Sequence, residues 1–348
     1  AYDGPMDESD PAVAPPPLAG PFRLHTFRPR GRPDVGTRTL FVHEWTASGF
    51  TVRGVVGLLD LTGGHCPSAR AVVLPHERVH ADQVHQLAGR MARGRVDTAP
   101  ILLAHRGPVA LRSLLDEVCS EPPRLVRSLR DQRHRVWALS RPSELELVAA
   151  ELAGTSALLA DGHHRYAAHL RLQRSGTRGS DRALSVLVDH EDTPLHLGAI
   201  HRVLPGPVLH VARRQGWGVV TIGSGSPLRE VAPGRVVVWE AGLTHVLSLP
   251  PTPGPPGGSG LVTTATMPVL AVERMLAQLP TGDTSYHHEA EAALAEAGRR
   301  DRSALLLPAP TLDEVLSVVR QGRLLPEKAT SFQPKPRPGL LTRRLRDV

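Results

Sequence analysis

From Thr39 onward, short runs of apolar and β-branched residues alternate with stretches whose apolar positions recur every three or four residues. The first pattern predicts strands at Thr39–Val42, Thr51–Leu59, Ala71–Leu74, Pro100–Leu103, Val136–Leu139, Ala157–Ala160 and Ala183–Val188. The second predicts a helix at Ala81–Arg93, where Val84, Leu87, Ala88 and Met91 share one face before Gly94. Further helices are expected at Leu111–Val118, at Ser143–Ala153 with Ser143 as its cap, and at Tyr166–Arg174. Gly63-Gly64 reads as a turn. Such alternation predicts a mixed α/β or α+β core.

After about residue 192 the pattern loosens. Strands are expected at Val208–Val211, Gly218–Ile222, Val236–Trp239 and Thr244–Leu249, a Pro/Gly loop at Pro250–Gly260, and helices at Met267–Leu279 and His287–Ala297. Ala304–Leu307 reads as a strand. Thr311 followed by Glu314 forms a capping box before the stripe of Val315, Leu316 and Val319, and Gly322 closes that helix. Beyond it, Pro326–Phe332 reads as an extended polar segment for which a core has no use. Residues 1–20, with Pro15-Pro16-Pro17 and several acids, are expected to be a disordered arm. The expected map is therefore an arm (1–20), a core (21–191), a second, smaller α+β lobe (192–300) and a C-terminal segment (301–348).

Composition narrows the function classes. Cys66 and Cys119 form no metal-type spacing, no apolar run reaches the roughly 18 residues of a membrane span, and the beginning lacks a basic-then-apolar order. A soluble, cytoplasmic protein is expected. The formal charge of +7 raises nucleic acid as a partner, but arginines are spread along the chain and aromatics are only 3%. Charge is a weak guide here. Lysine is the informative count, because only two of the 41 basic residues are lysine and both, Lys328 and Lys335, lie between Pro326 and Arg337.

One junction carries chemistry. The apolar run Ala157–Ala160 passes directly into Asp161-Gly162-His163-His164-Arg165 and then into a helix. Free backbone N–H groups and the positive end of a helix dipole meet there, Gly162 permits close approach, and His163, His164 and Arg165 add donors for phosphate oxygens. Asp161 can face a metal ion or a hydroxyl, or can simply cap the helix. His163, His164 and His169 raise zinc, but adjacent histidines point to different sides of a helix and no HExxH or CxxC is present. Glu77, in Pro75-His76-Glu77, is a candidate general base.

Taken together, Pro75-His76-Glu77, Pro100-Ile101-Leu102-Leu103 and Leu159-Ala160-Asp161-Gly162-His163-His164-Arg165 resemble the core of the ParB/sulfiredoxin superfamily, specifically its free serine kinases. The closing run from Ala309-Pro310-Thr311 through Val315, Gly322, Pro326, Lys328 and Thr330 is similar to theirs as well. The same set resembles a broad bacterial family of about this length, in which His201-Arg202 and the neighbourhood of Tyr286-His287 recur.

The resemblance implies Glu77 as the base that takes a serine hydroxyl proton and Asp161 as the acid that assists it or helps order Mg²⁺. It implies Gly162, His163, His164 and Arg165 as holders of the nucleotide phosphates. Substrate contacts are implied at Lys328, Thr330 and Ser331, and at His201 and Arg202, while metal ligands stay open. Ala329 stands where these families usually carry a hydroxylic residue, and the sulfiredoxin nucleophile falls at His163, so sulfinic acid repair is not implied. The expected function is phosphorylation of free L-serine to O-phospho-L-serine with Mg²⁺ and ATP or ADP. The rivals are a ParB-like nucleotide-dependent DNA-binding protein, for which no helix-turn-helix is found, and a same-fold enzyme acting on another phosphorylated metabolite, including the phosphatase direction.

Overall fold

Residues 12–33, 35–249, 267–278, 284–300 and 302–345 are described by the computed structural model of the chain. They divide into two units. The first comprises Ala1–His196, Leu316–Leu324 and Phe332–Val348, and the second, smaller one Leu197–Val315 and Leu325–Ser331.

The first unit is built on one mixed sheet. Its strands are β1 (Leu24–His25), β2 (Leu40–Ala47), β3 (Phe50–Asp60) and β4 (Val73–Pro75), then, after helix α1 (Ala81–Gly94), β5 (Ile101–His105). Helix α2 (Val109–Ser120), β6 (Leu125–Leu129), β7 (Gln132–Leu139), α3 (Pro142–Leu152), β8 (Ala157–Asp161), α4 (His163–Arg174) and β9 (Arg182–Asp189) follow. The order across the sheet is β4-β8-β5-β9-β3-β2-β7-β6, with β1 on β3. β8 runs parallel to β4 and β9 parallel to β5, whereas β8 and β5 are antiparallel.

Local chemistry accounts for the elements. β2 and β3 turn through Ser48 and Gly49, both at positive φ, the two-residue geometry that matches strand twist. β5, β8 and β9 are nearly continuous apolar runs, as strands covered on both faces must be. Leu111, Leu115 and Val118 of α2 join Val148 and Leu152 of α3 in the core cluster with Leu103, Leu159 and Leu187. Val84, Ala88 and Met91 of α1 pack with Ala168 and Leu172 of α4.

The second unit holds an antiparallel sheet of β10 (His201–Leu204), β11 (Gly218–Gly223), β12 (Val236–Glu240), β13 (Leu243–Ser248), β14 (Ser285–His287) and β15 (Ser303–Leu306), ordered β11-β13-β12-β15-β10-β14. Helices α5 (Val208–Arg214), α6 (Pro268–Leu276) and α7 (Ala290–Arg300) belong to it, and α8 (Leu312–Arg320) follows. The mixed α/β class expected from the sequence is the class observed. Among the described residues, no helix is long and apolar enough to cross a membrane.

Five local expectations are corrected. Residues 12–20 are not a loose arm: Ala12–Val13 pairs with Val79–His80, Leu18 is buried and exchanges backbone hydrogen bonds with Val72 and Val73, and the Tyr166 hydroxyl donates to the Pro16 carbonyl. Val208–Val211 is helical rather than extended, because Val208, Leu209 and Ala212 bury one helical face and outweigh the β-branched preference. α3 begins at Pro142, so its cap is Arg141, whose backbone N–H donates to Glu144, and not Ser143. Ser285–His287 is a strand, and the helix expected from His287 starts at Ala290. Phe332, expected in a segment without core value, is 1% exposed and stands against the His76 ring. The loop expected at Pro250–Gly260 lies outside the described residues.

Candidate active site

Sheet topology brings the three sequence motifs together. β8 pairs with β4 in the register Ala157↔Val73 to Leu159↔Pro75, so His76-Glu77 and Asp161-Gly162 leave neighbouring parallel strands at the same edge. β5 begins there, because it is antiparallel to β8 with Leu102 opposite Asp161, and Pro100 precedes it. Carboxyl ends of adjacent parallel strands are where open α/β sheets form ligand sites. The ladder slips between Leu159 and Asp161, a bulge of the kind that re-aims the next side chain.

Gly162 has φ of 95°, a left-handed conformation that glycine adopts without penalty. α4 therefore starts one residue later, at His163, and places His164 and Arg165 in its first turn. No side chain caps it. The N–H of Tyr166 returns to the Gly162 carbonyl. Arg165 folds back to donate to Asp161 Oδ2 at 2.6 Å and to the Pro100 carbonyl, tying two of the motifs.

The histidines separate. His163 is buried, its Nε2 accepts the His76 backbone N–H at 3.2 Å, and its Nδ1 lies 3.1 Å from Glu77 Oε1, with the carboxylate off the direction of the ring N–H. His76 donates from Nδ1 to the Leu159 carbonyl at 2.7 Å, and its ring meets His163 edge-on. Burial, reinforced by His163, lowers His76 to about 3, so it stays neutral. His164 turns to α1, where its Nε2 accepts the His80 N–H at 3.1 Å, and His169 pairs with buried Asp97 at 3.0 Å. The three histidines that raised zinc thus serve three different partners. Among the described residues no group of three or more His, Cys, Asp or Glu side chains is arranged to hold a metal ion.

Glu77 is partly exposed and anionic. Burial opposes its ionisation, but contact with His163 and the nearby charge of Lys335 outweigh it and lower the carboxyl to about 2. Lys335 is the residue that the sequence did not assign. Its Nζ lies 2.5 Å from Asp161 Oδ1, so Asp161 joins two cations, one through each oxygen. The clue was the confinement of both lysines to one short segment.

The expected substrate residues fall in the second unit. His201 accepts the Leu307 N–H at Nδ1, and Arg202 is fully buried, paired with Glu273 and placed over the Tyr286 ring. Lys328 is exposed at a φ of 57°, Thr330 is half-buried and Ser331 buried. None of the residues gathered around Asp161 lines the surface cleft of about 580 Å³ formed by Arg32, Pro33, Val35, Thr37, Arg124, Leu125, Ala138 and Ser140.

The fold and this site define a mixed α/β protein with an open helix N-terminus, flanking cations and an ionised glutamate at one sheet edge. The model of the DUF1015 family, described as a protein of unknown function, matches residues 37–214, just over half of the chain, and the chain belongs to that family. No curated protein matches it. Among solved structures, a free serine kinase mutant in complex with ADP is similar at 16% identity, over 76% of this chain and 87% of that one, with a TM-score of 0.41. A conserved hypothetical protein from Pyrococcus furiosus is similar at 18% identity, over 79% and 93% of the chains, with a TM-score of 0.41. SbnI with a C-terminal truncation, from Staphylococcus aureus, is similar at 12% identity, over 82% and 86%, with a TM-score of 0.43.

Proposed function

We propose that the first unit carries the active site of a nucleotide-dependent kinase that phosphorylates the hydroxyl of a small metabolite, with free L-serine as the acceptor its motifs point to. One observation supports this above the others: an uncapped helix N-terminus, two cations and an anionic glutamate share the edge where β4 and β8 end. Phosphoryl transfer asks for these parts, because it is achieved by positioning and charge stabilisation.

Each residue has a role in the step. The acceptor oxygen attacks the terminal phosphorus of ATP or ADP, its proton passes to Glu77, and an O–P bond forms. The bond from phosphorus to the leaving phosphate oxygen breaks, and the electron pair stays on that oxygen. Amides of the first turn of α4 and the Arg165 guanidinium meet that charge. A carboxyl lowered to about 2 is a weak base, but a loose transition state releases the acceptor proton late and needs chiefly an oriented carboxylate. His163 orients it. Asp161, on exchanging one of its two cations, and Glu77 would offer oxygens to Mg²⁺, which would supply charge neutralisation at the phosphates.

The test is to incubate the protein with L-serine, Mg²⁺ and ATP, ADP or pyrophosphate in turn and to search for phosphoserine by mass spectrometry. Glu77→Gln should reduce turnover by about 10²- to 10⁴-fold. Product with another hydroxyl metabolite would keep the kinase and discard serine. No product with any acceptor and any donor sinks the reading.

A further inference from the structure

Lys335 is placed by a segment that the sheet holds in detail. The Trp45 indole N–H donates to the Pro334 carbonyl at 2.9 Å, the Gln132 amide donates to the Lys335 carbonyl at 3.0 Å, and Phe332 is buried against His76. Farther along, Arg337 pairs with Asp131, the Gly339 N–H donates to the Thr98 carbonyl, and Arg343–Arg344 pairs with Val96–Asp97. Two side chains, Trp45 on β2 and Gln132 on β7, thus fix the carbonyls of two consecutive residues at the point where the lysine leaves the backbone. The ammonium itself is not enclosed: the Lys335 side chain is 49% exposed, against 24% for Asp161.

A fixed backbone with an accessible charged tip is the arrangement of a residue that meets a ligand. The chain also uses arginine nearly everywhere else, and a lysine supplies a compact, rotatable point charge in place of a planar fork. We propose that Lys335 is a catalytic residue that binds the terminal phosphoryl group of the nucleotide and rests on Asp161 between turnovers. The inference rests on the kinase reading above. The position follows from the neighbours: Asp161 Oδ2 and Arg165 mark the side of the helix end, and Lys335 holds the other oxygen, Oδ1. Glu77, which must stand beside the phosphorus under attack, leaves the same sheet edge as Asp161. A cation near both carboxylates falls on the transferred group and not on the phosphate next to the nucleoside.

Calorimetric titration of the full chain with AMP, ADP and ATP tests this, in the wild type and in Lys335→Met. The exposed side chain makes the substitution tolerable to the fold, which circular dichroism checks, and Lys335→Arg provides a second variant. Lys335→Met should weaken ADP and ATP by at least about tenfold and leave AMP within about threefold, the pattern of one lost charge-assisted contact beyond the first phosphate. Lys335→Arg should recover only part of the loss. Wild-type binding with an indifferent Lys335→Met, or equal losses for all three nucleotides, overturns the lysine assignment and leaves the kinase reading in place. A wild type that binds none of the three overturns both.

Discussion

Helices α4 and α5 present the same physical object, a positive helix end, and the two units treat it in opposite ways. In the second unit, Glu240 closes the N-terminus of α5: its Oε2 accepts the Val208 and Leu209 N–H groups at 2.6 and 3.3 Å and the Ser303 hydroxyl at 2.8 Å. In the first unit α4 starts after Gly162 with no side-chain cap, and the groups added nearby, Arg165 and Lys335, are cations held on Asp161. One end is filled internally. The other accumulates positive charge that an anion from solution relieves. The difference teaches that an open helix end becomes informative when its neighbours share its sign.

The largest expected effect comes from closing the open end. Gly162→Asp places a carboxylate at the helix start in a left-handed conformation that Asp tolerates better than most residues. It should reduce ADP affinity by about 100-fold, since like charges then face each other. Gly162→Asn has the same shape without the charge and should lose far less. Both meet the Arg165 guanidinium, whose end lies 2.9 Å from a Cβ built at position 162 and must shift by the same amount in each variant. Equal losses in titrations of the two variants would make shape, and not charge, the cause, and would break the comparison.

Opening the closed end should act on stability alone. Glu240→Ala removes the acceptor of three hydrogen bonds and should cost about 2 to 3 kcal/mol. Hydrogen exchange should speed at Val208 and Leu209 while ADP affinity stays unchanged. A parallel loss of affinity would mean that the two helix ends are not independent.

Acid sharpens the contrast inside the first unit. Burial, then His134, lowers His43 to about 3, so the folded state keeps it neutral while the unfolded chain protonates it below about 6.5. Its stabilising contribution is complete above that pH and is lost as pH falls toward 3, by about 1.4 kcal/mol per pH unit. Glu77 behaves in a lower window: depressed to about 2, it loses its contribution only as pH falls from about 4.5 toward that value. Denaturant titrations at pH 6.5 and 5 should therefore show His43→Phe about 2 kcal/mol less acid-sensitive than the wild type. Glu77→Gln should leave that interval unchanged.

Legibility followed the range of the interactions. The strands β5, β8 and β9 and the Asp161–Arg165 turn are written locally, in apolar runs and in Gly162, and could be read in sequence order. Lys335 could not. Its place depends on Trp45 and Gln132, which are 289 and 203 residues from the carbonyls they hold, and no periodicity carries such a register. Residues 12–20 failed for a related reason: a proline-rich stretch cannot order itself, yet Leu18 finds a partner strand in Val73. Val208–Val211 failed because its β-branched composition is local while Glu240, which closes the helix, lies on another strand.

At α8 the helix end is closed by its own neighbours as the sequence leads one to expect, and it gives the smallest effect expected. Thr311 Oγ1 accepts the Glu314 N–H at 3.2 Å, and Glu314 Oε2 accepts the Thr311 N–H at 2.7 Å, the reciprocal pair expected from the spacing. Thr311→Ala removes one half of it and should cost about 1 kcal/mol, with no effect on nucleotide affinity. Thr311→Ser, which keeps the acceptor, should cost only a few tenths of that unit. If both variants lost stability equally, the methyl group and not the cap would be responsible. α8 would then lose its place beside α5 as a closed helix end, and the openness of α4 would stand against one internal example instead of two.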